Sequence, residues 1–320
     1  MKNILIIGAG AMGAAFAIPC IDNKHKVTLC EPYNHSLVKK ILSKKKFHPT
    51  LKLNLPKNLI IKNYTKEICE KKWDLLVIAV SSIGVKIVGK IMKEINTKNP
   101  ILILTKGLHY EKKEKKILTM SEQLKKIIKK GNISVLKGPC LAGELAKRIK
   151  SSVVIANKNT KVAKSIGKLI STDYYKIEYS NDVKGVEICS SIKNIYSMII
   201  GSGQGLNTAS SLFRKSILEM IYLTKFFKGK EETVYGLAGL GDLYVSALGG
   251  RNSRMGKYLG EGYDYKTAKE KFMKNDTIEG AELALEIGTK VLKDFDNKKI
   301  PLMSSLIKSI IENKKLEISW

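Results

Sequence analysis

In the first half of the chain, apolar positions come as short unbroken runs. Residues 2–7 form such a run, which stops at Gly8 and predicts a strand buried on both faces. Residues 11–21 predict a helix and residues 25–30 a second strand. Residues 73–80, WDLLVIAV, predict another fully apolar strand. A helix is expected over 86–95, and strand-like runs return at 101–105, 133–136 and 152–156. Strands alternating with helices predict an α/β fold with a doubly wound, mostly parallel sheet.

The pattern changes near residue 180. Apolar residues then recur at helical spacing, which predicts helices over 182–202, 208–227, 233–248, 265–274, 280–293 and 303–313. The expectation is two domains, 1–181 and an all-α C-terminal domain 182–320, with the boundary at 179–184. No internal repeat interrupts either half.

Composition narrows the classes. The chain has 320 residues and is 44% hydrophobic, which supports real cores. Its apolar runs are too short to span a bilayer, and Gly8 and Gly10 break the first run before a signal cleavage site could follow. Cys20, Cys30, Cys69, Cys140 and Cys189 are scattered without a CxxC pair, so neither a disulfide framework nor a metal site is expected. The expected compartment is the reducing cytoplasm.

A net charge of +28 raises nucleic acid as a partner. The makeup of that charge argues against it. Of 57 basic residues only Arg148, Arg214, Arg251 and Arg254 are arginine. The lysine excess, for example between 112 and 130, reads as solvated surface. No specific nucleic-acid partner and no membrane insertion are expected. A retained arginine in such a chain marks a place for a two-pronged donor.

Residues 4–13, ILIIGAGAMG, carry G-x-G-x-x-G between a predicted strand and a predicted helix, the context that makes this pattern specific for a dinucleotide. The first domain is therefore expected to be Rossmann-like. Gly8 would allow the tight turn, Gly10 the approach of a pyrophosphate at the helix N-terminus, and Gly13 close packing of helix on sheet. Ala11 and Met12 lie on the same turn. Glu31 closes the second strand, where a carboxylate can accept from an adenosine ribose and oppose a 2′-phosphate, so NAD is favoured over NADP. Lys39 and Lys40 nearby leave NADP open. Ser81 and Ser82 follow the strand at 73–80 and are further cofactor-contact candidates. His25, His35, His48 and His109 share no spacing with a carboxylate or cysteine and read as structural.

Three segments carry candidate chemistry. Lys106, in TKGL at 105–108, follows an apolar strand at the sheet's carboxyl edge. Lys193 and Asn194 interrupt an apolar helical face, and a lysine so placed needs a partner when buried. It can then exchange a proton with a carbonyl oxygen. In the glycine-rich stretch 235–262, Asp242 is positioned either to pair with a buried lysine or to cap a helix. Arg251 and Asn252 follow Gly249 and Gly250, so a guanidinium fork and an amide are expected to project from a tight turn, which suits a phosphate.

With these segments in register, the sequence resembles the NAD(P)-dependent glycerol-3-phosphate dehydrogenases. The matching segments are TKGL at 105–108, GPCLAGELA at 138–146, IKN at 192–194, GLAGLGDL at 236–243, GGRN at 249–252 and IEGAELA at 278–284. The resemblance implies interconversion of sn-glycerol 3-phosphate and dihydroxyacetone phosphate with NAD or NADP. It implies that Lys193 is the general acid/base and Lys106 a second catalytic cation. Asn194, Asp242 and Ser246 would orient Lys193 and the substrate hydroxyls, and Arg251 and Asn252 would hold the phosphate. Ala142, Lys106, Arg251 and Glu279 would lie beside the cofactor. A homodimer in glycerophospholipid and carbohydrate metabolism is also implied. Two other readings remain: a ketopantoate-reductase-like enzyme or one acting on another small phosphorylated hydroxy compound, and a non-catalytic dinucleotide- or nucleic-acid-binding protein.

Overall fold

The computed structural model describes residues 1–95, 99–129 and 131–318. It divides into two compact units. One comprises Met1–Lys106 with Met120–Val183; the other comprises Gly107–Thr119 with Lys184–Trp320.

The first unit is built on an eight-stranded sheet. In chain order the first seven strands are β1 (Asn3–Ile7), β2 (Lys26–Glu31), β3 (Phe47–His48), β4 (Leu53–Asn54), β5 (Ile60–Asn63), β6 (Leu75–Ile78) and β7 (Ile101–Ile103). Next comes the hairpin β8 (Leu108–Glu111) and β9 (Lys116–Thr119), then β10 (Ile133–Lys137), β11 (Ser151–Ala156) and β12 (Tyr175–Ser180). The sheet order is β12-β11-β10-β7-β6-β1-β2-β5. Every pairing in it is parallel except β10 with β11. Helices α1 (Ala11–Asp22), α2 (His35–Ser43), α3 (Glu67–Glu70), α4 (Gly84–Ile95), α5 (Met120–Ile128), α6 (Ala142–Ala146) and α7 (Thr160–Ile170) belong to the same unit.

Ile4 to Ile7 and Leu75 to Ile78 are all buried, as expected of strands covered on both faces. The core joins Ile4, Ile6, Phe16, Val27, Leu29, Val77, Leu102 and Tyr175. From β1 the chain proceeds one way through β2 and β5, and the other way through β6, β7 and β10. Strand order thus reverses beside β1, the place where open α/β sheets bind ligands.

The second unit contains α8 (Val183–Gly201, which begins at the last residue of the first unit), α9 (Leu206–Phe226), α10 (Glu232–Tyr235), α11 (Asp242–Ala247), α12 (Arg251–Gly260), α13 (Tyr265–Phe272), α14 (Glu279–Asp294) and α15 (Pro301–Glu312). Beyond β12, no strand occurs among the described residues. Glu219 of α9 is buried and caps α15: its carboxylate accepts from the amides of Leu302 (2.7 Å) and Met303 (3.1 Å) and from the Tyr196 hydroxyl (3.0 Å). Those amides are among the ones a helix N-terminus leaves unpaired.

Several expectations need correction. The helix over 233–248 is three pieces, with a π turn over Leu237–Gly241 between α10 and α11. Five glycines within 236–250 account for it, since glycine weakens a regular helix. Arg251 does not project from a tight turn; it opens α12, with Gly250 as the N-cap. The lysine-rich stretch 112–130 is not featureless surface: β9 and all of α5 run through it, although Lys112, Lys113, Lys115, Lys116, Lys125, Lys126 and Lys129 are exposed. Lys130 lies outside the described residues. Strands β5 and β12 were not anticipated; β12 alternates weakly, and only Tyr175 of it is fully buried.

Candidate active site

The three glycines of the turn answer to different demands. Gly8 has φ +114°, and a Cβ there would lie 2.5 Å from the Ala79 carbonyl oxygen. A Cβ on Gly13 would overlap the Gly8 carbonyl. Both glycines are thus required by the protein itself. Gly10 is not: its φ is −63°, and a Cβ there would meet nothing within 4 Å. It caps α1 from open space, where a ligand's pyrophosphate could approach the backbone. The cradle therefore fits a dinucleotide.

Glu31 ends β2 with its carboxylate turned onto this turn. Oε2 accepts the Ala9 amide at 2.8 Å, and Oε1 accepts those of Tyr33 (3.2 Å) and Asn34 (2.9 Å). The residue is only 3% exposed. It therefore shapes the loop, and most of its acceptor capacity is engaged there. His48, read from sequence as structural, also reaches this turn: its Nε2 lies 3.0 Å from the Ala9 carbonyl. Ala11 and Met12 begin α1, half-buried against the core. Ala142 opens α6, which packs beside α1. Ser81 follows β6, exposed, with its carbonyl accepting the Gly84 amide.

Lys106 lies just beyond β7, half-buried, and its Nζ donates to the Gly138 carbonyl at 3.4 Å. A neighbour the sequence did not single out braces the same segment. Lys137 is buried, and its Nζ donates to the carbonyls of Thr105 (2.7 Å) and Ile103 (3.3 Å). Thr105 Oγ1 in turn donates to the Val80 carbonyl.

On the helical unit, Lys193 sits mid-way along α8 at 5% exposure. Its Nζ donates to Asp242 Oδ1 at 3.0 Å and to Ser246 Oγ. Asp242 and Ser246 are four residues apart on α11, so one helical face presents both. Asp242 is 2% exposed; its carboxylate compensates a buried ammonium that would otherwise be very unfavourable.

The next residue along α8 starts a second network. Asn194 Nδ2 donates to Glu279 Oε2 (3.0 Å), and Asn194 Oδ1 accepts from Asn252 Nδ2 (3.1 Å). Asn252 Oδ1 accepts the Gly280 amide at 2.9 Å. Glu279 Oε1 lies 3.7 Å from Arg251 Nη2, and both of those side chains are about half exposed. Lys193, Asn194, Asp242, Ser246, Arg251, Asn252 and Glu279, predicted from separated segments, are thus gathered on one unit. Each network satisfies its buried polar atoms, as buried polar groups require. A cavity of about 570 Å³ elsewhere on this unit is lined by Gly203, Gln204, Arg254 and Lys257 and takes in none of these residues. Among the described residues, no cluster of three His, Cys, Asp or Glu is placed to hold a metal, and no helix is long and apolar enough to cross a membrane.

A nicotinamide-dependent dehydrogenase needs a cradle for its dinucleotide and a side chain placed to move a proton; the first unit carries a turn that fits the former and the second a buried lysine of the latter chemistry. The class is a dinucleotide-dependent dehydrogenase. Comparison gives the family: the models described as NAD-dependent glycerol-3-phosphate dehydrogenase N-terminus and C-terminus match residues 3–163 and 182–319. The chain belongs to that family. It is 31% identical to the glycerol-3-phosphate dehydrogenase [NAD(P)+] of Fusobacterium nucleatum, covering 98% of this chain and 94% of the relative. It is 29% identical to the NADP(+)-dependent glycerol-3-phosphate dehydrogenase of Archaeoglobus fulgidus, covering 98% and 96%. The crystal structure of glycerol-3-phosphate dehydrogenase from Coxiella burnetii superposes with a TM-score of 0.86 at 28% identity, covering 98% and 96%.

Proposed function

We propose that this enzyme interconverts sn-glycerol 3-phosphate and dihydroxyacetone phosphate using NAD(H) or NADP(H), with Lys193 as the general acid/base. The observation that carries this reading is the buried Lys193–Asp242–Ser246 arrangement, with Asn194 beside it leading to the only guanidinium in the GGRN segment. The residues that would hold the cofactor are Gly8, Gly10, Ala11, Met12 and Gly13, with Glu31, Ser81, Ala142, Lys106, Arg251 and Glu279 as further contacts. Bound there, the nicotinamide supplies or accepts the hydride at substrate C2.

The chain's own residues do the rest. Lys193 gives a proton to the C2 oxygen of dihydroxyacetone phosphate as it becomes an alkoxide, and removes it in the reverse direction. Asp242 and Ser246 hold that ammonium in one direction, so little reorganisation accompanies the transfer. Lys106 adds positive charge to the same oxygen. Arg251 and Asn252 grip the phosphate, and binding energy remote from C2 then orients the reacting carbon.

NAD is the better cofactor in this reading. Glu31 brings a negative charge to the end of β2, where its carboxylate accepts from the amides of Ala9, Tyr33 and Asn34, and that charge opposes a 2′-phosphate. The ratio of kcat/KM for NADH and NADPH tests this. The enzyme is further proposed to be a cytoplasmic homodimer, for which light scattering gives the mass.

The decisive variant is Lys193→Ala. Turnover with dihydroxyacetone phosphate is expected to fall by about 10³-fold or more, while NADH still binds. Near wild-type turnover in this variant would remove Lys193 from the chemistry.

A further inference from the structure

His48 lies on the segment between β2 and β5 and is completely buried. Both ring nitrogens meet backbone groups. Nδ1 accepts the Leu51 amide at 3.2 Å. An amide can only donate, so Nδ1 carries no proton and Nε2 does. Nε2–H then donates to the Ala9 carbonyl at 3.0 Å. Ala9 is the residue between Gly8 and Gly10, and its amide is taken by Glu31 Oε2 at 2.8 Å. Both polar backbone groups of the turn's central residue are thus tied to buried side chains from two different segments.

This matters for what the turn presents. In a trans peptide the carbonyl and the following N–H point in opposite directions. The ring that fixes the Ala9 carbonyl therefore also fixes the Gly10 N–H, on the one glycine of this turn whose surroundings the protein leaves open. We propose that His48 is a positioning residue for cofactor binding: its Nε2–H, opposed by Glu31, clamps the Ala9 peptide so that the Gly10 amide is held ready for the dinucleotide's pyrophosphate. The proposal rests on the turn at residues 8–13 being the cofactor cradle. An apolar side chain could fill the same space without the desolvation cost of a buried imidazole, which a merely space-filling role does not explain.

The test titrates NADH and NADPH by nicotinamide fluorescence, with steady-state rates alongside, for the full-length wild type, His48→Gln, His48→Asn and Gly10→Ala. A glutamine amide reaches the position of Nε2 and still donates to Ala9. An asparagine amide reaches only the position of Nδ1 and keeps the Leu51 bond alone. Losing one buried hydrogen bond is expected to weaken cofactor binding about five- to tenfold in His48→Asn. The effect appears in KM for the cofactor, with kcat at saturation and KM for dihydroxyacetone phosphate nearly unchanged, while His48→Gln stays within about twofold of wild type. Equal losses in both variants, or no loss in His48→Asn, overturns the proposal.

Gly10→Ala separates the two levels. Its Cβ meets no protein atom, so unchanged cofactor affinity there refutes the cradle itself and the clamp with it. Impaired binding in Gly10→Ala beside an unaffected His48→Asn refutes the clamp alone. Should His48→Asn not fold, the ¹⁵N spectrum of the wild-type imidazoles decides: an Nε2–H tautomer for His48 supports the clamp, and an Nδ1–H tautomer overturns it.

Discussion

Arg251 is one of four arginines among 57 basic residues, and it stands at the first position of a helix beside a paired amide. Its ion pair with Glu279 is long and half exposed, so it adds little to stability and leaves the guanidinium free to turn to a phosphate. Replacing the fork with a point charge tests that use. Arg251→Lys is expected to raise KM for dihydroxyacetone phosphate about tenfold with kcat little changed, and Arg251→Ala to raise it further. Unchanged KM in steady-state assays would detach Arg251 from the phosphate. At this scale the sequence was informative where a residue broke its own context. Lys193 interrupts an apolar face, and Asp242 lies in an apolar, glycine-rich stretch. His48 broke nothing, because its partner is a main-chain carbonyl 39 residues away and a carbonyl has no side-chain signature. Lys137 was lost among other lysines for the same reason.

The element that carries Arg251 and Asn252 packs against the one that carries Lys193 and Asn194 with almost no space between their backbones. A Cβ added to Gly256 of α12 would overlap the Met198 carbonyl of α8; one on Gly260 would overlap that of Ser202, and one on Gly201 that of Ser253. Glycine costs a helix about 1 kcal/mol relative to alanine, and here close approach outweighs that propensity. Gly256→Ala must push the helices apart. It is expected to destabilise the protein by about 2–3 kcal/mol, seen as a lower melting temperature, and to lower activity as the two networks separate. A variant as stable and active as wild type would mean that the helices have slack. Periodicity placed α1, α4, α8, α9, α13, α14 and α15 to within a few residues, and it gave no helix at α2, α5, α7 or α12. It failed around 236–250, where glycines weaken a regular helix and a Cβ on Gly239 would overlap the Val234 carbonyl of the preceding turn.

Across the molecule, the titrating groups are distributed unevenly between the units. In the first, burial holds His25 and His48 below the usual 6.5 of histidine. As pH falls below 6.5 the unfolded chain binds protons that the folded unit refuses, so stability is lost. Asp74 is lowered, chiefly by the Asn3 amide, and Asp22 is lowered despite burial by hydrogen bonds from Arg148 and Tyr174. Their contribution is present above 3.8 and disappears as pH falls through their folded values. In the second unit, burial raises Glu219 and Glu282 above the usual 4.5, so their effect runs the other way and favours the folded state as pH falls. Between pH 7 and 5, hydrogen exchange is expected to show protection falling more in β1, β2 and β6 than in α9 and α15. The reverse order would refute this assignment. The six inner strands of the sheet were legible, because buried strands read as continuous apolar runs, while its edge strands β5 and β12 were not. The β8–β9 hairpin was not, because a solvated lysine-rich edge masks its alternation. That hairpin packs on α14, where the Glu286 carboxylate meets both His109 Nδ1 (2.8 Å) and the Tyr110 amide (3.0 Å). The polypeptide therefore passes between units three times, at 106–107, 119–120 and 183–184. A gene fragment that starts at residue 182 would encode the helices stripped of the ribbon that covers one of them, so dissection of this enzyme calls for grafting residues 107–119 onto the fragment rather than for a single cut.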